Sequence, residues 1–434
     1  MKIGFVSLGC SKNLVVTEEI IGLFKKHGYE IVEDPNEAEI LLINTCGFID
    51  SAKNEGIQTI LEMAEYKEQN CKYLIVTGCL VERYKDELQK ELPEVDLFVK
   101  ISNYDQLWTE ISNLLENKKE NDNLTYKNRI LTTGSTMAYL KIAEGCSNFC
   151  TYCAIPYIQG KYVSRKYEDI LDEAVDLAKK GIKELVVIAQ DTTKYGVDLY
   201  GVQKLPELLN DLAKIDGIKW IRFLYSYPET ITDELIEVVK NNEKICKYFD
   251  LPIQHISDDV LKRMNRKSSG QEIKDLIVKL RREIPNVILR TTVIVGFPGE
   301  TDENFNELMD FIKEYKFDRL GAFAYSAEDG TPAAKFKSQI EEDIKEDRRN
   351  KVMLLQQGIS ENNLKSKIGN RYECLIENIT EDGKYFIARS YMDVPSEDGV
   401  IYVEYNPEYM INEYVFVRII DSDCYDLYGK IEED

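Results

Sequence analysis

Three closely spaced cysteines, Cys146, Cys150 and Cys153, are the residues of this sequence whose type and spacing indicate chemistry most directly. They form a CxxxCxxC pattern closely behind a hydrophobic run at residues 138–143. A compact loop with three thiolates is typical of a metal site, because the thiolate is the form of cysteine that binds metals. A structural zinc site needs four closed ligands, but there is no fourth cysteine nearby and the chain has 2 histidines. Three structural cysteines in a loop are the alternative, and this spacing disfavours it.

The arrangement that fits three thiolates is a 4Fe–4S cluster in which one iron has no protein ligand. A substrate or cofactor can bind to that iron. Radical S-adenosylmethionine (SAM) enzymes need such an iron, because SAM chelates it and is then cleaved reductively. We therefore predict a 4Fe–4S cluster on this loop and SAM as a cofactor.

A second set of three cysteines is predicted at the ends of strands. The predicted elements are strands at 2–10, 39–46 and 73–79, with helices at 17–27 and 50–68 between them. This order predicts a parallel sheet with right-handed crossovers, whose strands meet a ligand at their carboxyl ends. The three strands end at Cys10, Cys46 and Cys79, which are 36 and 33 residues apart and are expected to converge. One buried cysteine ends a strand by chance, but three in register predict a second cluster with its own open iron.

The chain as a whole is predicted to contain three domains, at 1–120, 132–365 and 367–434. A polar stretch at 112–130 predicts a linker after the first domain. Six strands are predicted in the second domain, at 139–144, 184–191, 219–225, 247–251, 287–296 and 319–325. Helical patterns lie between them, for example at 168–180 and 303–315, which predicts an open (β/α)6 partial barrel with ligands at the carboxyl ends of its strands. A charged helical connector is predicted over 334–366.

The third domain is predicted to be a small antiparallel β-barrel. Its five short strands are predicted at 371–379, 384–390, 399–405, 413–420 and 425–431. Over 367–434 there are 6 basic and 16 acidic residues, a net charge of −10. Such a surface either serves solubility or meets a basic partner, and a folded pattern with this much charge favours the partner.

The composition bounds the function further. The chain has 434 residues and a net charge of −22, which argues against a large nucleic-acid footprint. It has no apolar run of membrane-spanning length and no signal-peptide pattern. Ten cysteines without a secretion signal indicate a reducing compartment, so we expect a cytoplasmic protein without a membrane partner.

Candidate SAM contacts lie in the cysteine loop, just after it, or at predicted strand ends. They are Tyr152, Arg165, Gln190, Asp191, Gln254, His255, Gly296, Pro298, Gly299 and Glu300. Tyr152 packs either on the adenine of SAM or on ordinary neighbours, and Arg165 either meets the SAM carboxylate or is solvated. The turn at 296–300 offers glycines that let backbone approach a ligand. His255 taken alone is more often structural than catalytic.

At this point the sequence resembles the methylthiotransferases of the radical SAM superfamily, over nearly the whole chain. The resemblance rests on the two cysteine sets and on three local stretches at 9–14, 190–196 and 388–395. These stretches are similar to the members that modify an aspartate of a small-subunit ribosomal protein, the twelfth, rather than adenosine in tRNA. One departure is Ser11, where that type often carries Pro.

The resemblance implies two 4Fe–4S clusters, two SAM molecules and a C-terminal TRAM barrel. One SAM would methylate sulfur held at the first cluster, and the other would give a 5′-deoxyadenosyl radical that removes a hydrogen from the β-carbon of the aspartate. The carbon radical would then take up the methylthio group. A basic ribosomal protein, an external electron donor and a sulfur source are the implied partners, and tRNA is disfavoured. A tRNA adenosine methylthiotransferase and an iron–sulfur electron carrier or scaffold remain the alternatives.

Overall fold

The computed structural model describes residues 1–116 and 118–432. Asn117 of the predicted linker and residues 433–434 of the predicted third domain lie outside the described residues. The helices are α1 Ser11–Lys26, α2 Asp50–Ala64, α3 Cys79–Glu91, α4 Leu107–Glu116, α5 Ile155–Ile158, α6 Tyr167–Lys179, α7 Val197–Tyr200, α8 Leu205–Ala213, α9 Asp233–Asn241, α10 Asp258–Arg263, α11 Gly270–Glu283, α12 Asp302–Tyr315 and α13 Glu342–Lys365. The strands are β1 Lys2–Ser7, β2 Glu30–Ile31, β3 Ile40–Thr45, β4 Tyr73–Gly78, β5 Leu97–Val99, β6 Met137–Lys141, β7 Ala143–Glu144, β8 Val163–Ser164, β9 Glu184–Ile188, β10 Trp220–Phe223, β11 Tyr248–Gln254, β12 Ile288–Val295, β13 Arg319–Ala324, β14 Arg371–Ile379, β15 Tyr385–Ser390, β16 Ile401–Glu404, β17 Tyr414–Ser422 and β18 Leu427–Ile431.

The chain divides into two compact units. Unit 1 consists of Met1–Lys180, Ile188–Gln190 and Ser326–Ala334. Unit 2 consists of Gly181–Val187, Asp191–Tyr325 and Lys335–Asp434. Both cysteine sets that the sequence singles out therefore lie in unit 1.

Unit 1 begins with a five-stranded parallel sheet in the order β2-β1-β3-β4-β5. The three predicted strands are its central ones. The edge strands β2 and β5 have 2 and 3 residues, too few for a sequence pattern to show. Every residue of β3 is buried, which explains its continuous apolar sequence, because a parallel strand is covered on both faces.

Two boundaries in unit 1 correct the sequence analysis. Helix α1 begins at Ser11 rather than at Thr17, because the extended backbone of Cys10 caps it and Leu14 N–H bonds to Cys10 O at 3.1 Å. Its first turn is polar and so gave no apolar periodicity. The predicted linker also starts too early, since helix α4 continues to Glu116.

Unit 2 contains a parallel sheet in the order β11-β12-β13, a parallel pair of β9 and β10, and a closed barrel in the order β14-β15-β16-β18-β17. The predicted α/β class and the five-stranded barrel are confirmed. The barrel closes because β16 pairs in parallel with β18 while its other pairs are antiparallel. The connector is α13, which begins at Glu342, later than the predicted 334.

Buried ion pairs attach the barrel to the strands of unit 2. Arg389 is 1% exposed, and its Nη2 lies 2.6 Å from Glu184 Oε2 and 2.7 Å from Glu377 Oε1. Arg319 Nη2 bonds Asp393 Oδ1 at 2.7 Å. Removing one partner of such a pair leaves a buried charge uncompensated and costs about 3–5 kcal/mol. The stretch 388–395, which the sequence analysis connected with the substrate type, therefore fixes the barrel in place.

None of the described helices combines the length and apolar character that a bilayer crossing requires.

Candidate iron–sulfur and SAM site

The three strand-end cysteines meet at one edge of the sheet in unit 1. Cys10 precedes α1, Cys46 follows β3, and Cys79 is the first residue of α3, directly after β4. Strands β1, β3 and β4 are parallel neighbours, so their carboxyl ends share an edge. Burial, and after it the charges of Cys10 and Cys46, raise the pKa of the Cys79 thiol to about 12. The geometric basis of this interaction is the shared edge, at which all three thiols lie.

Two glycines allow this convergence. Gly9 has φ +88°, and a β-carbon there would lie 2.6 Å from Cys46 Cβ and 2.9 Å from Cys46 Sγ. Gly78 has φ +102°, and a β-carbon there would overlap the carbonyl oxygen of Thr45. Only glycine adopts such a conformation without strain while leaving this space, so these glycines let Cys10 and Cys79 approach Cys46.

The CxxxCxxC loop is held locally. Cys146 N–H donates to Gly160 O at 3.1 Å, and Cys153 N–H donates to Cys150 O at 3.0 Å. Gly145 has φ +66°, and a β-carbon there would lie 2.8 Å from Gly160 O. Burial raises the pKa of the Cys153 thiol, and the charges of Cys150 and Cys146 add to the effect. This set, like the first, therefore combines buried and half-buried thiols that affect one another electrostatically.

The two sets adjoin each other within unit 1. Cys79 forms a buried apolar cluster with Ala154 and Ile158. Ala154 directly follows Cys153, and Ile158 belongs to the short helix α5 after the loop. One side chain of the first set thus packs against the segment that carries the second.

Two amides contact Cys79 that the sequence analysis did not identify. Gln159 Nε2 lies 3.9 Å from Cys79 Sγ, and Gln159 Oε1 accepts from Gln190 Nε2 at 2.9 Å. Asn13 Oδ1 also lies 3.9 Å from Cys79 Sγ. Asn13 is three residues beyond Cys10 in α1, so the sequence could have indicated that it lies near the first cysteine set. The sequence could not have indicated this for Gln159, because no spacing rule connects it with a cysteine 80 residues away.

The chemistry of these donors fits iron–sulfur clusters. Within residues 1–116 and 118–432, no three His, Cys, Asp or Glu side chains are grouped to hold one metal ion. Each set instead offers buried or half-buried thiols, where thiolates need a compensating positive charge. Iron in a cluster supplies that charge. Cys10, Cys46 and Cys79 would hold one cluster, and the CxxxCxxC cysteines would hold the other.

The predicted SAM contacts near the loop have protein partners. Tyr152 is half-buried. Arg165 Nη1 donates at 2.6 Å to both Glu173 Oε2 and Lys141 O, and its guanidinium lies 5.3 Å from the centre of the Tyr126 ring. The interpretation of Arg165 as a solvated side chain is therefore wrong, and its contact with SAM stays a prediction.

Other predicted contacts lie in unit 2, apart from Gln190, which belongs to unit 1. Asp191 is fully buried, and its Oδ1 accepts from Thr193 Oγ1 at 2.6 Å. Gln254 has φ +71° at the irregular end of β11, and its Nε2 donates to Pro252 O at 3.3 Å. Both side chains have partners within the protein.

His255 and Glu300 are brought together inside unit 2. His255 Nδ1 accepts from Ser257 N–H at 3.0 Å, and its Nε2 lies 3.8 Å from Glu300 Oε2. Burial, and after it the charge of Arg348, lower the pKa of His255 to about 3. Burial raises the pKa of Glu300 to about 7, although Arg348 Nη1 lies 2.9 Å from Glu300 Oε1. A neutral, buried, accepting imidazole favours the structural interpretation of His255.

The glycines of the turn at 296–300 were predicted to let the backbone approach a ligand, and the structure gives a different reason for them. Gly296 has φ +70° and Gly299 has φ +81°. A β-carbon at Gly296 would overlap the Lys345 side chain, and one at Gly299 would overlap Arg263. The close approach that glycine permits is thus to protein side chains. Contact of Pro298 and the rest of the turn with SAM stays a prediction.

Comparison with family models assigns a class to each part of the chain. Residues 140–312 match the radical SAM superfamily, residues 368–431 match the TRAM domain, and residues 2–100 match the family described as "Uncharacterized protein family UPF0004". The radical SAM methyltransferase TsrM from Kitasatospora setae superposes with a TM-score of 0.57, at 12% identity over 76% of each chain. The cobalamin-dependent radical enzyme OxsB superposes with a TM-score of 0.51, at 12% identity over 82% of this chain and 56% of that one. The fold and the cysteine loop thus define a radical SAM protein, a class that implies a 4Fe–4S cluster and SAM.

Curated relatives narrow the class to one family. A protein of Alkaliphilus oremlandii named ribosomal protein uS12 methylthiotransferase RimO is 63% identical over 99% of both chains. Proteins with the same name from Clostridioides difficile and Acetivibrio thermocellus are 52% and 49% identical over 99% of this chain, and over 99% and 98% of their own. The chain belongs to the RimO family of radical SAM methylthiotransferases.

Proposed function

We propose that this enzyme adds a methylthio group to the β-carbon of an aspartate in ribosomal protein uS12. The observation that carries the proposal is the contact of Cys79 with Ala154 and Ile158, which joins the two cysteine sets. Such a reaction must bring sulfur and a radical to one carbon, so the groups that supply them must lie close together. The name shared by the curated relatives supports uS12 as the substrate.

We propose a 4Fe–4S cluster on Cys10, Cys46 and Cys79 in addition to the cluster on the CxxxCxxC loop. When bound, the two clusters and SAM would supply a methylated sulfur and a 5′-deoxyadenosyl radical. The protein's own part is to hold each set with at least one buried thiol, Cys79 in the first and Cys146 and Cys150 in the second, which limits the access of water to the reacting groups. Gln159 and Asn13 flank Cys79 and would orient its sulfur.

The remaining assignments are proposals as well. We propose the domain limits 1–120, 132–365 and 367–434, and the family models that match residues 2–100, 140–312 and 368–431 support this division. A substrate from the ribosome implies that the reaction occurs in the cytoplasm. The reaction also needs an external electron donor and a sulfur source. The acidic barrel disfavours tRNA, since phosphate groups attract basic surfaces.

Mass spectrometry of uS12 tests the substrate. Cells that lack the gene should carry uS12 without the methylthio mass, and the wild-type gene should restore it. The Cys46→Ala gene should fail to restore it, whereas Cys71→Ala should succeed, because Cys71 is a buried thiol of the same sheet domain outside both sets. Unmodified uS12 in wild-type cells would contradict the proposal.

A further inference from the structure

The segment that carries the second cysteine set differs in charge from the rest of the chain. Between Gly145 and Tyr167 there are three basic residues and no acidic residue. The whole chain has 55 basic and 77 acidic residues. Lys161 and Lys166 of this segment are exposed. The segment therefore forms a basic area on an acidic protein.

The same segment exposes large apolar side chains. Phe149 is 44% exposed, Tyr157 is 58% exposed and Val163 is 58% exposed. The rings of Phe149 and Tyr157 meet edge to face, with 6.2 Å between their centres. Aromatic side chains are enriched where proteins bind each other, and apolar side chains exposed next to one another mark interaction sites. We call Phe149, Tyr157, Lys161, Val163 and Lys166 the basic aromatic patch.

The patch is built onto the cysteine loop itself. Phe149 directly precedes Cys150, and Cys146 N–H bonds to Gly160 O, next to Lys161. Tyr162 N–H donates to Ser147 Oγ at 3.1 Å, which fastens the segment after α5 to the same loop. A molecule seated on the patch would therefore lie within a few side chains of the three thiols.

We propose that the basic aromatic patch is the docking surface for a small acidic one-electron carrier protein that reduces the cluster on Cys146, Cys150 and Cys153. This inference rests on the proposed function, which requires that cluster to be reduced before SAM is cleaved. The carrier would lose one electron and be oxidised, and the cluster held by these three cysteines would accept that electron and be reduced. Electron-transfer partners bind through small surfaces, so a patch of this size suffices.

The charge of the patch selects this occupant over the substrate. A basic ribosomal protein would be repelled by Lys161 and Lys166, whereas an acidic carrier would be attracted and its encounter accelerated. Glu144 and Glu168 flank the basic segment, and Glu144 is ion-paired with Lys141 at 2.6 Å. The negative charge of Glu144 in β7 is thus already balanced by Lys141.

The test compares two reductants on the cluster-loaded enzyme. SAM cleavage to 5′-deoxyadenosine is measured with dithionite and with a reduced acidic bacterial ferredoxin as the probe. The Kd of the same ferredoxin for the enzyme without SAM is measured by isothermal titration calorimetry, and it should rise about tenfold when Lys161 and Lys166 are both changed to Glu. For the double variant Lys161→Glu/Lys166→Glu we expect the kcat/KM for ferredoxin to be about tenfold lower than in the wild type. In the wild type this kcat/KM should fall as salt rises, whereas in the variant it should not. The rate with dithionite should be the same in both proteins. Tyr157→Ser should lower the ferredoxin kcat/KM without changing its salt dependence.

The matched control is Lys90→Glu/Lys179→Glu, which reverses two exposed lysines on helices α3 and α6 of the same unit. It should leave both rates unchanged. Ferredoxin kinetics unaffected by the patch variants, or an equal loss with dithionite, would overturn the docking surface. Weaker binding of uS12 or tRNA with normal ferredoxin kinetics would assign the patch to that partner and also overturn it. Failure of the wild type to cleave SAM with dithionite would instead contradict the proposed function.

Discussion

The two cysteine sets of unit 1 present similar donors but are built in different ways. Cys146, Cys150 and Cys153 lie within 8 residues and are held by hydrogen bonds inside their own segment. Cys10, Cys46 and Cys79 are spread over 70 residues and come together because three parallel strands end at one edge. The local set thus depends on a loop, whereas the assembled set depends on the register of a sheet.

This difference predicts where each set is vulnerable. The local set needs its turn geometry, in particular the positive φ of Gly145. The assembled set needs the glycines that let strand ends approach, because a β-carbon at Gly9 would strike Cys46. A change at the sheet edge should therefore disturb the cluster of the assembled set and leave that of the local set intact. A change in the loop should disturb only the cluster of the local set.

The largest effect is expected from removing the local set. With Cys146, Cys150 and Cys153 all changed to Ala, about half of the iron should remain and SAM cleavage should fall below detection, because the assembled set keeps its own ligands. Iron analysis and the yield of 5′-deoxyadenosine after anaerobic reconstitution measure this. Loss of all iron would show that the two sets are not independent.

Glycine substitutions sharpen the comparison. Gly9→Ala adds a close contact and a strained φ of +88° at the assembled set, and Gly145→Ala does the same at the local set, where φ is +66°. Each should cost about 1–3 kcal/mol of local strain and lower the occupancy of its own cluster alone. The occupancy of one cluster at a time is measured by electron paramagnetic resonance. Gly9→Ala is examined in a chain whose local set is changed to Ala, and Gly145→Ala in a chain whose assembled set is changed to Ala.

Gly134→Ala is the control for strain alone. Gly134 also has a positive φ, +87°, but a β-carbon there would have no heavy atom within 4 Å. It should lower stability slightly and leave both clusters filled. Equal loss of both clusters in all three variants would mean that general destabilisation, and not the local geometry, controls occupancy.

A smaller effect concerns acid stability in unit 2. Burial keeps His255 neutral in the folded chain, with a pKa of about 3 against 6.5 for an ordinary histidine. Between these values the unfolded chain binds a proton that the folded chain does not, so stability falls as pH falls from 6.5. The loss is at most about 1.4 kcal/mol per pH unit. Glu300, whose pKa is raised to about 7, has the opposite effect, because its protonation on acidification stabilises the folded chain. Glu300 is present both in the wild type and in the variant described next, so its effect is common to the two.

The His255→Gln variant removes this acid-sensitive group. Urea unfolding of the cluster-free wild type and variant at pH 7 and pH 5 should show that the wild type loses more stability than the variant on acidification. Parallel losses in the two proteins would mean that His255 becomes protonated in the folded state.

The smallest effect is expected from the surface charge of the C-terminal barrel. Reversal of exposed acids, Glu381, Glu408 and Asp421 to Lys, should weaken the apparent affinity for uS12 a few-fold at low salt and less at high salt, because exposed charges are screened. Glu397 and Asp398 are unsuitable for such a test. Glu397 bonds Arg290 at 2.7 Å, and Asp398 accepts from Tyr248 OH at 2.7 Å, so their reversal would disturb the fold. Affinity insensitive to charge and salt would exclude a role of the barrel's charge in substrate choice.

Much of the fold could be predicted from the sequence because its signals are local. Continuous apolar runs gave β1, β3 and β4, and the turn residues of the barrel gave strands such as β14, Arg371–Ile379. The two edge strands of the sheet were missed because their length is below that of any periodic pattern. The start of α1 was missed because its first turn is polar where it faces the cysteines.

The site could be predicted only as far as its ligands are marked by spacing or by strand ends. The contacts of Gln159 with Cys79 and of Arg389 with Glu184 join residues 80 and 205 positions apart, and only tertiary packing creates them. The same limit explains the glycine turn at 296–299. A sequence shows that glycine permits close approach there but does not show that Lys345 and Arg263 are what approaches.

The central claim is that the assembled set carries sulfur while the local set cleaves SAM. The most direct test is the product distribution of the enzyme in which Cys10, Cys46 and Cys79 are all Ala, reconstituted and reduced with SAM and uS12. The account predicts 5′-deoxyadenosine at a rate close to wild type and no methylthio mass on uS12. Methylthiolated uS12 from this variant would contradict the role of the assembled set.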